Sequence, residues 1–316
     1  MKHFLTQIPV SISGLILGLV SLGHLFFSIH YDRIGWTFTV IGILMMFLFF
    51  LKITITGKET LKTLNNPIVA AISPTFPMSM MMLCHTLSRF TVHDSIILLI
   101  WWIAIILHFS LMGFFTLYFL APRNIRSEYI NPGWFVTFVG IGVIPATSSN
   151  FGPEFGRIII WFALAFYLVL LPIVISQLVK REATKSTLPL IAIIAAPGSL
   201  CLTGYLSVID QPSESIVYIL LALSQLLYFF IIFMLPKIMQ YKFHPSYAAL
   251  TFPVVISATS IIKVFQLVDD KELANEVLKF ASIFELALAV VIVNYVLVRY
   301  SIFIFQCYGN DRNSYN

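Results

Sequence analysis

A succession of apolar stretches constrains this chain more than any other feature. Each stretch is close to the roughly 20 apolar residues that a helix needs to cross a bilayer, and short polar connections separate them. Hydrophobic residues make up 59% of the chain and charged residues only 10%, which a soluble globular domain would not tolerate. The sequence therefore predicts an all-α integral membrane protein with no separate soluble domain.

We predict ten transmembrane helices in a single domain that covers residues 1–316. Their bounds are 8–28, 34–51, 67–88, 95–119, 133–150, 155–178, 188–208, 214–236, 245–267 and 276–305. The first stretch follows only Lys2 and has no small-residue cleavage site, so we expect a retained span rather than a signal peptide.

Lysine and arginine are unevenly distributed between alternate loops, which predicts the orientation of the chain. The N-terminus, the loops after even-numbered spans and the C-terminal end hold Lys2, Lys52, Lys58, Lys62, Arg123, Arg126, Lys180, Arg181, Lys185, Lys237, Lys242, Arg299 and Arg312. Because such residues stay on the cytoplasmic side, both termini are predicted to be cytoplasmic in a multi-pass plasma-membrane protein. The opposite side holds most acids, including Asp269 and Asp270. The net charge of +5 is spread over short loops, so we expect a lipid bilayer as partner and no nucleic acid.

Prolines recur in pairs in four of the odd-numbered spans. One begins each span, at Pro67, Pro132, Pro189 and Pro245, and a second lies inside it, at Pro77, Pro145, Pro197 and Pro253. The first is well tolerated at a helix start, whereas the second removes an interior hydrogen bond and predicts a bend. Small or hydroxylated residues follow the inner prolines, and the even-numbered spans are bulkier.

Two arrangements are compatible with this pattern. Small residues can simply permit close packing between membrane helices. Irregular backbone at membrane depth is, however, tolerated chiefly where it is buried or lines a cavity. Since the pattern recurs in alternate spans, we predict five helical hairpins, with bent odd-numbered helices around a central pathway and even-numbered helices against lipid.

The chain resembles the tellurite-resistance and dicarboxylate transporter family, which includes a bacterial tellurite-resistance protein, the yeast malate permease and the plant guard-cell slow anion channel. The resemblance rests on "GLILGLVSLG", "NPIVAAISPTFPMSMMML", "PLIAIIAAPGSLCLTGYLS" and "YAALTFP". It implies ten helices in a pseudo-five-fold ring of the voltage-dependent anion channel type, inner helices that line a pore, and a homotrimer with one pore per subunit. It also implies that a phenylalanine on the ninth helix plugs the pore, and Phe252 occupies that position.

Phe252 is therefore the predicted gate. A residue before proline is disfavoured in the helical region, so its ring is expected to project from a local bend. The alternative is that Phe252, like most of the 29 phenylalanines, packs or faces lipid. Phe76, which precedes Pro77, is a second candidate.

Hydroxyl groups are the best candidates to replace the hydration of a permeating anion, because no inner span carries a mid-membrane cation. Lys263 and Arg89 lie close to span ends, so any selectivity is expected to be weak. The predicted pore-lining residues are Ser13, Phe76, Pro77, Ser79, Pro145, Thr147, Ser148, Pro197, Ser199, Pro253, Ser257 and Thr259.

Other polar residues in the spans have more than one interpretation. Glu285 is the one clearly intramembrane carboxylate in the sequence, and it either pairs with Lys263 or serves as a proton site. His24, His85 and His108 are expected to bond neighbouring helices individually, since no two have metal-binding spacing. The three cysteines imply no disulfide framework.

Two functions remain open from the sequence. The first is a passive channel or facilitator for small inorganic anions, and the alternative is a proton-coupled carrier of C4-dicarboxylates such as malate. An enzyme is not expected, because no paired carboxylates, nucleophile motif or Gly-rich nucleotide loop are present, and neither a metal nor a cofactor is predicted.

Overall fold

The computed structural model describes residues 2–90, 94–121, 130–180, 184–268 and 272–313, and these residues form helices and turns with no strand. Eight helical segments in this part of the chain are long and apolar enough to cross a membrane. The prediction of an all-α membrane protein is therefore confirmed. Some residues used in the orientation argument, namely Arg123, Arg126, Arg181, Asp269 and Asp270, lie outside the described residues.

Ten segments, numbered α1 to α10 in chain order, correspond to the predicted spans. They are α1 Ile12–Ser28, α2 Asp32–Ile55, α3 Pro67–Leu87, α4 Ser95–Leu120, α5 at residues 133–150, α6 Pro153–Lys180, α7 Leu188–Val208, α8 Glu214–Met239, α9 Pro245–Leu267 and α10 Glu272–Asn313. Two short helices, Lys2–Gln7 and Gly57–Thr63, precede α1 and α3. The helix of α1 has only 17 residues and α5 is interrupted, so for these two segments the crossing remains a prediction.

Most odd-numbered segments consist of several helical pieces. They are Pro67–Ile72 and Thr75–Leu87 in α3, Gly133–Phe138, Val139–Gly142, Val143–Thr147 and Ser148–Asn150 in α5, Leu188–Ala195 and Ala196–Val208 in α7, and Pro245–Leu250 and Thr251–Leu267 in α9. The pieces Val139–Gly142, Ser148–Asn150, Leu188–Ala195 and Pro245–Leu250 are 3-10 helices. Among the even-numbered segments, α4 ends in a π-helical turn, Thr116–Leu120.

The inner prolines occupy the same place in each interrupted segment. Pro77, Pro145 and Pro253 are the third residues of their helical pieces, and Pro197 is the second of its own. In the first turn of a helix the N–H that proline lacks would have no intrahelical partner. The expectation that these prolines remove an interior hydrogen bond was therefore wrong, because the irregularity lies in the 3-10 or turn residues that precede each proline.

The odd-numbered segments contact one another in order. Segment α1 packs on α3, α3 on α5, α5 on α7, α7 on α9, and α9 on α1 again. The even-numbered segments pack against these: α2 on α1, α4 on α3, α6 on α5 and α7, α8 on α7, and α10 on α9.

Glycine allows α1 and α9 to approach closely. A Cβ atom on Gly18 would lie 2.5 Å from Thr251 Oγ1 and 3.3 Å from the backbone nitrogen of Phe252. Thr251 Oγ1 donates to the carbonyl oxygen of Gly14 at 3.0 Å, which fixes the register of the two segments. The position of Phe252 therefore depends on two glycines of α1 as well as on its own helix.

Candidate functional site

A largely apolar cavity lies between the N-terminal halves of the five odd-numbered segments. Each of these segments contributes to its wall, for example Gly14 of α1, Met78 of α3, Val139 of α5, Leu200 of α7 and Phe252 of α9. No even-numbered segment contributes among the residues that line it. The cavity is thus enclosed by the segments that the sequence predicts to be inner ones.

Phe252 and Pro253 are the last residues of α9 that line this cavity. The side chain of Phe252 is 7% exposed, and the next five residues of α9, 254–258, are all buried. The cavity therefore has no open continuation along α9 beyond Phe252. The ring does not project from a non-helical residue as expected, because the helix Thr251–Leu267 already includes Phe252.

A capped 3-10 turn positions the start of α9. The imidazole Nδ1 of His244 accepts a hydrogen bond from the backbone nitrogen of Ser246 at 3.2 Å. Burial lowers the pKa of His244, which favours the neutral ring that this bond requires. Tyr247 Oη in turn donates to the carbonyl oxygen of Ile238 at 2.8 Å, which attaches the turn to the end of α8.

Two predicted pore-lining residues, Pro197 and Pro253, line the cavity together with the predicted gate, Phe252. Ser13 is adjacent to it, since its hydroxyl lies 2.6 Å from Thr75 Oγ1 and Thr75 is a lining residue. Phe76 instead packs against Phe49 of α2, with ring centroids 5.0 Å apart, and it is not among the cavity residues.

The other predicted hydroxyls have different environments. Ser79 donates to the carbonyl oxygen of Phe76, Ser148 to that of Pro145, and Thr147 accepts from the indole nitrogen of Trp101 on α4 at 3.0 Å. Ser79, Thr147 and Ser148 do not line the cavity. The same is true of Pro77, Ser199, Ser257 and Thr259. Their role in lining a pore remains a prediction.

Ser257 lies on the side of α9 that faces α8 and α10. Its hydroxyl and the side chain of Gln225 from α8 lie next to the Glu285 carboxylate, and Tyr228 of α8 is also close. Glu285 is fully buried, and the polar atoms of all four side chains lack a hydrogen-bond partner in the described structure. These side chains approach one another without meeting hydrogen-bond geometry.

The proposed pairing of Glu285 with Lys263 is wrong. Lys263 Nζ donates to the hydroxyl of Ser207 on α7 at 2.6 Å, and the Glu285 oxygens have no partner in the described residues. The physical reason is the helix period: six residues separate Ser257, which meets Glu285, from Lys263, so the two side chains leave α9 in different directions.

A group of polar side chains at the C-terminal ends of the odd-numbered segments was not predicted from the sequence. The rings of His24 in α1 and His85 in α3 are in contact, with centroids 4.5 Å apart, although they were expected to act individually. Both are close enough to Lys263 and Arg89 to be affected by their charges. Residues separated by 61 positions carry no local signal for such contact. The one indication in the sequence was that both histidines lie near the ends of odd-numbered spans.

The sequence profile of one protein family, described as voltage-dependent anion channel, matches residues 7–300. The matched region includes all ten segments except the last part of α10. No curated protein matches the sequence significantly.

Proposed function

Because the chain belongs to the voltage-dependent anion channel family, we propose that it is an anion channel or facilitator whose central pathway is occluded by Phe252. The odd-numbered segments line this pathway, and five hairpins form a pseudo-five-fold ring around it. The closed order of contacts from α1 through α9 back to α1 supports this arrangement.

The observation that carries the proposal is the cavity lined by all five odd-numbered segments, at which Phe252 and Pro253 are the last lining residues of α9. Phe252 lines this cavity and is therefore not one of the lipid-facing phenylalanines. One aromatic ring is sufficient to close a narrow apolar passage, and hydrophobic constrictions are an established way to gate a pore.

The test is anion flux in proteoliposomes that contain the Phe252→Ala variant. Truncation removes the ring while Pro253 and the helix remain, so we expect chloride and nitrate flux to increase at least several-fold. Phe252→Leu should increase the flux less, because a branched side chain still occupies part of the passage.

The matched control is Phe229→Ala, since Phe229 lies on α8 and 43% of it is exposed on the outside of the bundle. Flux through this variant should equal that of the parent at the same amount of protein. A Phe252→Ala variant that conducts no more chloride, nitrate or malate than the parent would refute the gate.

A proton-coupled carrier of dicarboxylates is the second candidate, and the buried Glu285 favours it. A carboxyl group without a cationic partner among its neighbours in the bilayer is held most easily in its protonated form. Malate uptake driven by an inward proton gradient, and lost in Glu285→Gln, would support the carrier. Flux that is the same with and without the gradient would support the channel.

The same proposal includes a homotrimer in the plasma membrane with cytoplasmic termini. Single cysteines test the orientation in a background in which the natural Cys84, Cys201 and Cys307 are replaced. Cysteines at positions 58 and 312 should react only from the cytoplasmic side, and a cysteine at position 270 only from outside. Labelling of positions 58 and 270 from the same side would contradict the ten-span topology.

A further inference from the structure

Solvent-accessible polar side chains gather at the C-terminal ends of the odd-numbered segments. His24 is the one residue between Ile12 and Phe27 that is not buried. In α9 the stretch from Thr251 to Val264 is likewise buried except for Thr259 and Lys263. In segments as enclosed as these, a partly exposed side chain borders a space between segments, and we call the space at these C-terminal ends the vestibule.

Helix geometry places His85 and Ser207 in the same vestibule. The half-buried apolar residues of α3 recur at positions 76, 80, 83 and 87, which form one helix face, and His85 lies on the opposite face. His85 and Ser207 follow the cavity residues Met78 and Leu200 by seven positions, or about two turns. Thr259 likewise follows Phe252 by seven positions.

The vestibule therefore lies beyond Phe252, further along the helix faces that line the cavity. Lys263 lies eleven residues after Phe252, on the same helix face and about 16 Å further along the axis. The buried residues between them separate two accessible spaces, an apolar one before Phe252 and a polar one after it.

Positive charge and hydrogen-bond donors dominate this vestibule. Lys263 Nζ is held by Ser207 Oγ, which itself donates to the carbonyl oxygen of Thr203 at 2.7 Å. Arg89 donates to the carbonyl oxygen of Phe27 at 3.2 Å. Each cation thus has neutral oxygen partners in the described structure, and neither forms an ion pair there.

The two imidazoles complete the group. His24 Nδ1 lies 3.3 Å from Thr86 Oγ1, which is also 2.9 Å from the carbonyl oxygen of Met82. His85 Nδ1 is buried without a hydrogen-bond partner in the described part of the chain. An ammonium group whose partner is a neutral hydroxyl is costly in this environment unless an anion neutralises its charge.

We infer that His24, His85 and Lys263 form a binding site for a small monovalent anion in the vestibule beyond Phe252. Lys263 supplies the charge and the imidazoles supply N–H donors, so the site captures an anion before it reaches the gate. The inference rests on the proposed function, since it makes this site part of the same pathway.

Nitrate is the probe for binding, and thermal unfolding of the purified protein is the readout. A ligand that binds only the folded state raises the unfolding temperature in proportion to its occupancy. Nitrate should stabilise the parent relative to gluconate at equal ionic strength. Lys263→Met should weaken the apparent nitrate affinity about tenfold, since one charge-assisted contact is lost. Lys263→Arg should retain most of the affinity.

Two controls separate this site from general salt effects and from misfolding. Lys279→Met removes a half-exposed cation of α10, which pairs with Glu276 at 3.6 Å, and should leave the nitrate effect unchanged. His24→Asn with His85→Asn should weaken nitrate binding.

Flux in the Phe252→Ala background distinguishes the two proposals. If Phe252→Ala conducts and Lys263→Met raises the half-saturating nitrate concentration about tenfold, both stand. If Phe252→Ala conducts but Lys263→Met changes neither the half-saturating nitrate concentration nor the thermal stabilisation by nitrate, the vestibule site is refuted and the channel stands. If nitrate binds through Lys263 but Phe252→Ala does not conduct, the gate is refuted and the site stands.

Discussion

The odd-numbered and even-numbered segments are both apolar, yet they occupy opposite environments. The buried share is 67% in α3, 83% in α7 and 78% in α9, against 28–39% in α2, α4, α6, α8 and α10. The inner segments are also the less hydrophobic ones. In a soluble protein the most hydrophobic segments are the buried ones, whereas here lipid accommodates bulky apolar side chains as readily as a protein core does.

Small and polar residues allow the inner segments to pack closely and to line a cavity. Gly18 lets α9 approach α1, Thr251 bonds across that contact, and short 3-10 pieces bring prolines to a cavity wall. Outer segments are continuous helices over most of their length, and their exposed side chains are large. The same type of substitution should therefore have different effects in the two sets.

Alanine at an inner and at an outer glycine should give the largest contrast. Gly18→Ala places a methyl group within 2.5 Å of Thr251 Oγ1, and we expect it to destabilise the protein by about 1–3 kcal/mol. Gly113→Ala in α4 meets nothing within 4 Å and should stabilise the protein by up to about 1 kcal/mol, because alanine favours a helix. Thermal unfolding in detergent measures both changes, and equal effects would contradict the contrast.

Tryptophans of two outer segments give a smaller contrast. Trp101 of α4 is fully buried and its indole nitrogen donates to Thr147 of α5 at 3.0 Å. Trp101→Phe should cost about 1 kcal/mol or more, since a buried hydrogen bond and part of a ring are lost.

Trp161→Phe in α6 is the matched variant, because Trp161 is 51% exposed. Its unfolding temperature should remain close to that of the parent. A loss of stability as large as that of Trp101→Phe would mean that the outer surface is covered in the native protein, for example by the other subunits of a trimer.

The inner prolines should have the smallest effect on stability and a clear effect on flux. Pro145→Ala and Pro197→Ala change first-turn residues, so we expect stability changes below about 1 kcal/mol. Pro197 lines the cavity, and its replacement should change anion flux at matched protein levels. Unchanged flux in both variants would mean that these prolines contribute only to packing.

Several properties followed from the sequence because they depend on local composition. Length and hydropathy indicated the membrane segments, and the recurring prolines identified the odd-numbered set. The family was recognisable from "YAALTFP" and three other motifs, and the match over residues 7–300 confirmed it. Phe252 followed from that resemblance, and the structure places it at the cavity wall.

Tertiary structure decided which polar residues meet. His24 and His85 are 61 positions apart, Ser207 and Lys263 are 56 apart, and nothing local links either pair. Ser257 and Lys263 are close in sequence, but the helix period directs one toward Glu285 and the other toward Ser207. Hydropathy records how readily a residue leaves water. The packing angles and register of neighbouring helices decide which residues it then contacts, and those depend on close approaches such as that of Gly18 to Thr251.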